Sequence, residues 1–342
     1  MNDIKLIFHI GMGKTGTTSI QWAMENNQKA LADQGVCYLG MWLDMIDPEF
    51  EGLAGTVKFL LDPPDLKAGY AQKFVQHVRE LNATSGASTF ILSNEGLFER
   101  PGGIIPFLRA LSTISNINVK AYAYLRDPAG WLRSAYAQWG LKHKTVQGPI
   151  RPFSSMAPNL LKQYSCAVTY HEKIPDIINL RHFDEQPDVV AAFCSEVGLV
   201  LEGTTVRKLP RDETAELVLR REFNNLFQDA VLPGSFDNAA WGNTRRDGVA
   251  SIDDIVLSFD DNSTISAAIA DNFSTFAYLN ENLNLNLNLT TDASRSVDVA
   301  TVRNRMIDYL MHIVVRQSLR IARLESDFSN SVISHSQMNS VD

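Results

Sequence analysis

The chain opens with a short, mainly apolar run, Ile4 to Ile10, followed by a glycine-rich turn. A run of that length bounded by glycine predicts a strand buried on both faces. From Thr17 to Leu31 apolar residues recur at helical spacing (Ile20, Ala23, Met24, Leu31), which predicts a helix directly after the turn. The alternation continues: stretches 36–39, 89–92, 119–125 and 177–183 read as strands. Stretches 70–81, 104–111, 128–142, 160–171, 189–197 and 213–227 read as helices. Pro128 suits the first turn of one helix, and Gly198 closes another. Strands alternating with helices predict a three-layer α/β fold, a mostly parallel sheet with helices on both faces.

The pattern weakens after about residue 231, where Gly, Asn, Asp and Ser dominate up to about 263. The expected organisation is therefore a catalytic domain over 1–230 and a largely helical C-terminal extension over 231–342. Within the extension, "NLNLNLNL" at 282–289 alternates with period two and reads as an edge strand or a linker, asparagine being a poor strand former. Residues 299–324 read as a long amphipathic helix. It either packs on its own domain or offers a contact to a partner or a second copy.

Composition narrows the chemistry. With 342 residues and 45% hydrophobic content, the chain can bury a substantial core. A formal net charge of −8 argues against a broad nucleic-acid surface, so any basic site must be local. Cys37, Cys166 and Cys194 are far apart, with no CxxC pair and no metal-ligand spacing. The expectation is reduced thiols in the cytoplasm and no metal site. No segment approaches the roughly 18 apolar residues of a membrane span.

The chemistry concentrates at "HIGMGKTGTTSIQ", residues 9–21. A glycine turn between a strand and a helix N-terminus leaves backbone amides unpaired where the helix dipole favours an anion. Gly11, Gly13 and Gly16 let the backbone come close, Lys14 adds a point charge, and Thr15, Thr17, Thr18 and Ser19 supply hydroxyls. Gly13-Lys14-Thr15 matches the end of the nucleotide-binding pattern G-x-x-x-x-G-K-[ST], but Phe8 stands where the first glycine belongs. Later, "YLRDPAGWLRSAYAQW" places Arg126 at the end of a predicted strand and Ser134 eight residues on. In a parallel sheet all strands deliver their C-terminal ends to one edge, so Lys14 and Arg126 are expected there together. Lys120, Arg126, Arg133, Lys142, Lys144 and Arg151 are expected to give that edge a local basic field.

"KTGTT" in this context, with the Arg126/Ser134 pair, resembles the sulfotransferase family, in particular a bacterial-type branch whose chains open "HIG..KTGTTSIQ". The similarity is clear over about residues 4–145 and faint to about 230. It implies 3′-phosphoadenosine 5′-phosphosulfate (PAPS) as sulfuryl donor. The 5′-phosphosulfate would lie on Gly13, Lys14, Thr15, Gly16, Thr17, Thr18 and Ser19, and the 3′-phosphate on Arg126 and Ser134. Implied with it are a P-loop-like fold and a hydroxyl-bearing glycan or glycolipid as acceptor.

In such a reaction Lys14 would stabilise the leaving phosphate and a base would take the acceptor proton. Glu95, in "FILSNEGLF", directly follows the third predicted strand, close to where cytosolic members of the family place a catalytic histidine. Glycan-modifying members place a glutamate after the second strand, where this chain offers Asp44, Asp47, Glu49 and Glu51. Arg207 and Lys208 form a further candidate loop for the 3′-phosphate. His9 reads as a buried, hydrogen-bonded strand residue. Two other readings stay open: an ATP-dependent kinase or triphosphatase, and a non-catalytic nucleotide-binding scaffold.

Overall fold

The computed structural model describes residues 3–144, 147–201, 213–241, 262–291, and 301–324 apart from 303, 315, 318–319 and 322–323. The described residues fall into two compact units: those within 1–135, 157–210 and 263–291 belong to the first, and those within 136–156, 211–262 and 292–342 to the second.

The first unit is built on a five-stranded, all-parallel sheet: β1 (Ile4–Gly11), β2 (Val36–Tyr38), β3 (Thr89–Ser93), β4 (Ile117–Leu125) and β5 (Ile178–His182). The strand order is β2-β3-β1-β4-β5. β1 is central, with Lys5 to His9 in register with Thr89 to Ser93 on one side and Ile117 to Tyr122 aligned with Ile4 to His9 on the other. Successive residues of β1 point to opposite faces. Ile7 packs with Ile20, Met24, Val190 and Phe193, under the helices Thr17–Asn26 and Val189–Val197. Phe8 packs against Phe74 and Phe107, with ring centroids 5.7 and 6.1 Å away, under the helices Lys67–Ser85 and Pro101–Ser112. Helices on both faces explain why β1 carries no alternating polar side.

The order puts a switch in connection direction between β1 and β4 at the C-terminal edge. The chain leaves β1 towards β2 and leaves β4 towards β5, so the loops after these neighbouring strands diverge. In open α/β sheets ligands bind at such a point. Gly11 is paired with Ala123, so the glycine turn and Arg126 leave the sheet side by side.

Several expected elements shift. The predicted 128–142 helix is α-helical over Pro128–Ala135 and continues as wider π-helical turns over Tyr136–Lys142. The 160–171 prediction is served by two helices, Phe153–Leu161 and Tyr164–Lys173. The Asn–Leu repeat is no strand. It follows the helix Phe273–Leu283, and Asn284 and Asn286 take left-handed φ values of 50° and 51°, which asparagine tolerates and a strand does not. Leu285 and Leu287 are buried, and the Asn280 amide brackets Leu287 from both sides. A two-residue period here reports alternate burial of leucines in an irregular segment.

In the second unit, Ala215, Phe236, Ala240 and Tyr309 form a small core with Leu219, Phe223, Met306 and Ile313. Arg220 is fully buried beside it and satisfied by Glu216 at 2.7 Å, Asp237 at 2.5 Å and the Pro233 carbonyl. The Lys144 ammonium is buried on the carbonyls of Asn224 and Phe227, at the C-terminal end of the helix Thr214–Asn225. No helix among the described residues is long and apolar enough to cross a membrane.

Candidate anion-binding and active site

The turn after β1 holds Lys14 at φ 69° and Gly16 at φ 79°. Gly16 is the N-cap of the helix Thr17–Asn26, and no side chain caps its amides. Its lack of a side chain is required: a Cβ there would lie 2.6 Å from Val189 Cγ1. Two carbonyls of the turn are held by donors from within the protein. Thr15 Oγ1 donates to Met12 O at 2.5 Å, and Trp131 Nε1 donates to Gly13 O at 2.9 Å. The Thr15 hydroxyl proton is therefore engaged inside the loop, leaving the residue's amide as its means of reaching a ligand. Thr17 is buried, Thr18 exposed and Ser19 half-buried, on the first turn of the helix.

Arg126 follows β4 directly. Its Nε lies 3.4 Å from Asp184 Oδ1, and its guanidinium faces the Phe183 ring at 5.5 Å. It also folds over Gly130, whose missing side chain leaves room for it. Nε is buried and makes no hydrogen bond of proper geometry. Phe183 is shared: a Cβ on Gly16 would touch the edge of the same ring at 3.4 Å. The glycine turn and Arg126 thus meet on one aromatic platform. Ser134 lies half-buried on the helix Pro128–Ala135, which also carries the Trp131 tether.

Next to Arg126, Asp127 Oδ1 accepts hydrogen bonds from His182 Nε2 at 2.9 Å and the Asn288 amide at 2.8 Å. Asp184 Oδ2 accepts from the Asp127 amide at 2.7 Å. Asp127, His182 and Asp184 bring three potential metal-ligand atoms within 4.8 Å of one another. Each carboxylate already accepts protein N–H groups, so the cluster braces the ends of β4 and β5 with its own donors.

Glu95 stands at the end of β3, on the other side of β1. The Asn94 side chain fixes its turn, accepting from Gly96 N at 2.9 Å and donating to Met41 O and Thr56 Oγ1. β1 passes close behind: a Cβ on Gly11 would lie 3.2 Å from Glu95 Cα. Gln21, on the helix after the glycine turn, donates 2.8 Å to Glu95 Oε2 and 3.1 Å to Ser93 O. The Tyr38 phenol, at the end of β2, is pushed well above its ordinary range by burial and by the nearby charges of Glu25 and Glu95. Of the other candidate acids, Asp47 caps the short turn Pro48–Phe50 and Glu49 pairs with Lys58. Neither they nor Asp44 or Glu51 hydrogen-bond to the glycine turn or its helix, whereas Glu95 does.

The basic field is smaller than the sequence suggested. Lys120 donates to Asp176 O at 2.9 Å, away from this edge. Lys144 is engaged as described. Arg126 leaves β4 beside the glycine turn that carries Lys14. Arg207 and Lys208 lie outside the described residues. Gln21, Tyr38, Phe183 and Asp184 were not singled out in the sequence. Only the proximity of Gln21 to the glycine turn marked any of them beforehand, since the other contacts are made across the sheet.

His9 is buried on β1, its Nδ1 2.7 Å from Ser93 Oγ, with its ring against Phe193 and Tyr124. Burial pushes its pKa down to about 3, so it is neutral and part of the core. Chemically, the edge combines a glycine turn opening a helix N-terminus, an ammonium and a guanidinium near a carboxylate. That suits a ligand with more than one anionic group that reacts beside a proton acceptor. No family model and no curated protein matches the chain.

Proposed function

We propose that the protein transfers a sulfuryl group from PAPS to a hydroxyl of a carbohydrate or glycolipid, on a P-loop-like sulfotransferase fold. The observation that carries the reading is the order of three neighbouring strand ends. β3, β1 and β4 deliver Glu95, the Lys14 turn and Arg126 next to one another on one edge. The resemblance of "KTGTT" and the Arg126/Ser134 spacing then gives that edge a specific donor.

The residues fit such a donor. Gly13, Lys14, Thr15, Gly16, Thr17, Thr18 and Ser19 offer amides, hydroxyls and a cation to the 5′-phosphosulfate, with the Met12 and Gly13 carbonyls held away from it. The orphaned, buried Arg126 Nε suits the 3′-phosphate, with Ser134 as a second donor and Asp184 steadying the guanidinium. Glu95 takes the proton of the acceptor hydroxyl as its oxygen bonds to sulfur. The bond from sulfur to the bridging oxygen breaks, and adenosine 3′,5′-bisphosphate leaves with that electron pair, its new charge facing Lys14 and the loop amides. Gln21 holds one carboxylate oxygen of Glu95 and leaves the other for the acceptor.

The test is a binding comparison by thermal shift and calorimetry. Adenosine 3′,5′-bisphosphate should bind and stabilise, and ATP with magnesium should do so far less. Lys14→Ala and Arg126→Ala should each weaken the bisphosphate by about ten- to a hundredfold, the value of one charge-assisted phosphate contact. Preference for ATP with magnesium, or wild-type bisphosphate affinity in Arg126→Ala, would refute the reading.

A further inference from the structure

Two backbone carbonyls at the candidate site hang on one pair of buried aromatic rings. The first belongs to Arg126. Just before it, the Leu125 carbonyl ends β4 by accepting from the Phe183 amide at 2.7 Å. Just after it, the helix ladder begins with Trp131 N on Asp127 O at 2.9 Å. The Arg126 carbonyl falls between these two ladders and accepts from the Tyr164 hydroxyl at 2.5 Å. A carbonyl turned away from water needs such a donor, so this bond fixes the backbone from which the guanidinium is launched. The amide that follows, of Asp127, is held by Asp184.

Tyr164 also reaches the other side of the site. Its ring meets Trp131 edge to face, with centroids 5.5 Å apart and planes at 83°. Trp131 Nε1 is the donor that holds the second carbonyl, that of Gly13 in the glycine turn. Both side chains are fully buried. Phe276, from the helix Phe273–Leu283, closes on Tyr164 at a centroid distance of 4.9 Å. Rings packed this closely do not shift singly, so the phenol and the indole form one rigid brace. Burial pushes the Tyr164 phenol well above its ordinary range, so it keeps its proton and acts as a donor.

We propose that Tyr164 is a positioning residue that sets the span between the glycine turn and Arg126, and so selects a nucleotide phosphorylated at both its 5′ and 3′ positions over one with a 5′-phosphate alone. The inference rests on the proposed donor and names what tunes its recognition. Tyr164 acts on a backbone carbonyl and a neighbouring ring, so it shapes the site without offering the ligand a charge. A ligand whose two phosphates match a fixed span gains both contacts at once, and slackening one end forfeits that gain.

Calorimetry on the full chain with adenosine 3′,5′-bisphosphate and adenosine 5′-monophosphate tests it. The wild type should prefer the bisphosphate by about tenfold or more. Tyr164→Phe keeps the ring against Trp131 and deletes only the hydroxyl. It should weaken the bisphosphate by about tenfold and leave the monophosphate affinity unchanged. Trp131→Phe frees the Gly13 carbonyl and should weaken both nucleotides, since both carry a 5′-phosphate. Tyr170→Phe is the control: it removes an equally buried phenol bond from the same helix, to Leu97 O at 2.8 Å. It should lower the thermal midpoint comparably and keep both affinities. Equal losses of both nucleotides in Tyr164→Phe, wild-type affinity for both, or the same selective loss in Tyr170→Phe overturns the assignment of Tyr164. A wild type with no preference for the bisphosphate overturns the proposed donor, and this assignment with it.

Discussion

His9 makes the acid stability of the sheet unit open to calculation. In the folded protein its pKa is pushed down to about 3, because charging the ring would place an unsolvated cation in the core beside Phe193 and Tyr124. In the unfolded chain it titrates near the ordinary value of 6.5. Between the two the unfolded state binds a proton that the folded state refuses. Stability from this residue is therefore fully present above about pH 6.5, falls as pH falls, and stops falling near pH 3. The slope is about 1.4 kcal/mol per pH unit, so acidification from pH 7 to 4.5 should cost about 2.5 kcal/mol from this one ring. Carboxylates add their own acid dependence, and a variant separates the two. His9→Phe keeps an aromatic ring and loses the bond to Ser93, lowering stability at pH 7 by about 1 kcal/mol. Its unfolding free energy, measured by urea denaturation at several pH values, should decline less steeply with acid than the wild type's, and the curves should cross or converge near pH 5–6. Parallel curves for the two proteins would show that His9 does not titrate on unfolding as the burial argument requires.

Two further predictions concern packing and the candidate site. Gly103→Ala should destabilise the sheet unit by about 1–3 kcal/mol in thermal denaturation, because its Cβ would lie 2.2 Å from Leu60 O, a backbone atom that cannot step aside. A neutral outcome would mean the Gly52–Leu61 and Pro101–Ser112 helices separate readily. If the proposed function holds, Gln21→Ala should slow sulfuryl transfer by about ten- to a hundredfold while leaving adenosine 3′,5′-bisphosphate affinity unchanged, since it removes a hydrogen bond to a carboxylate and no part of the loop. Lost bisphosphate affinity would instead assign Gln21 to the cradle.

Local patterning made much of the fold legible. β1, β3 and β4 appear in the sequence as apolar runs flanked by turns, and the Thr17 helix follows from its spacing. The glycine turn was visible because its chemistry is contiguous. Strand order was not, because nothing local says that β1 lies between β3 and β4. For the same reason the partners that define the site stayed hidden. Asp184 reaches Arg126 from the turn after β5, and Trp131 reaches Gly13 over 118 positions of sequence. The Asn–Leu repeat left strand and linker both open, because a period of two reports which residues are buried and says nothing of φ. Lys144 misled because a charge count cannot tell a solvated lysine from one capping a helix end.

The indole of Trp131 has a consequence beyond the bond it makes. With the carbonyl of residue 13 anchored to the helix that starts two residues after Arg126, the turn is already in its receiving shape before any ligand arrives. Binding then needs no loop to be ordered and no oxygen dipole to be rotated out of the way. The entropic cost of shaping the turn falls on folding, so a ligand of the proposed kind would meet a mould that is set in advance.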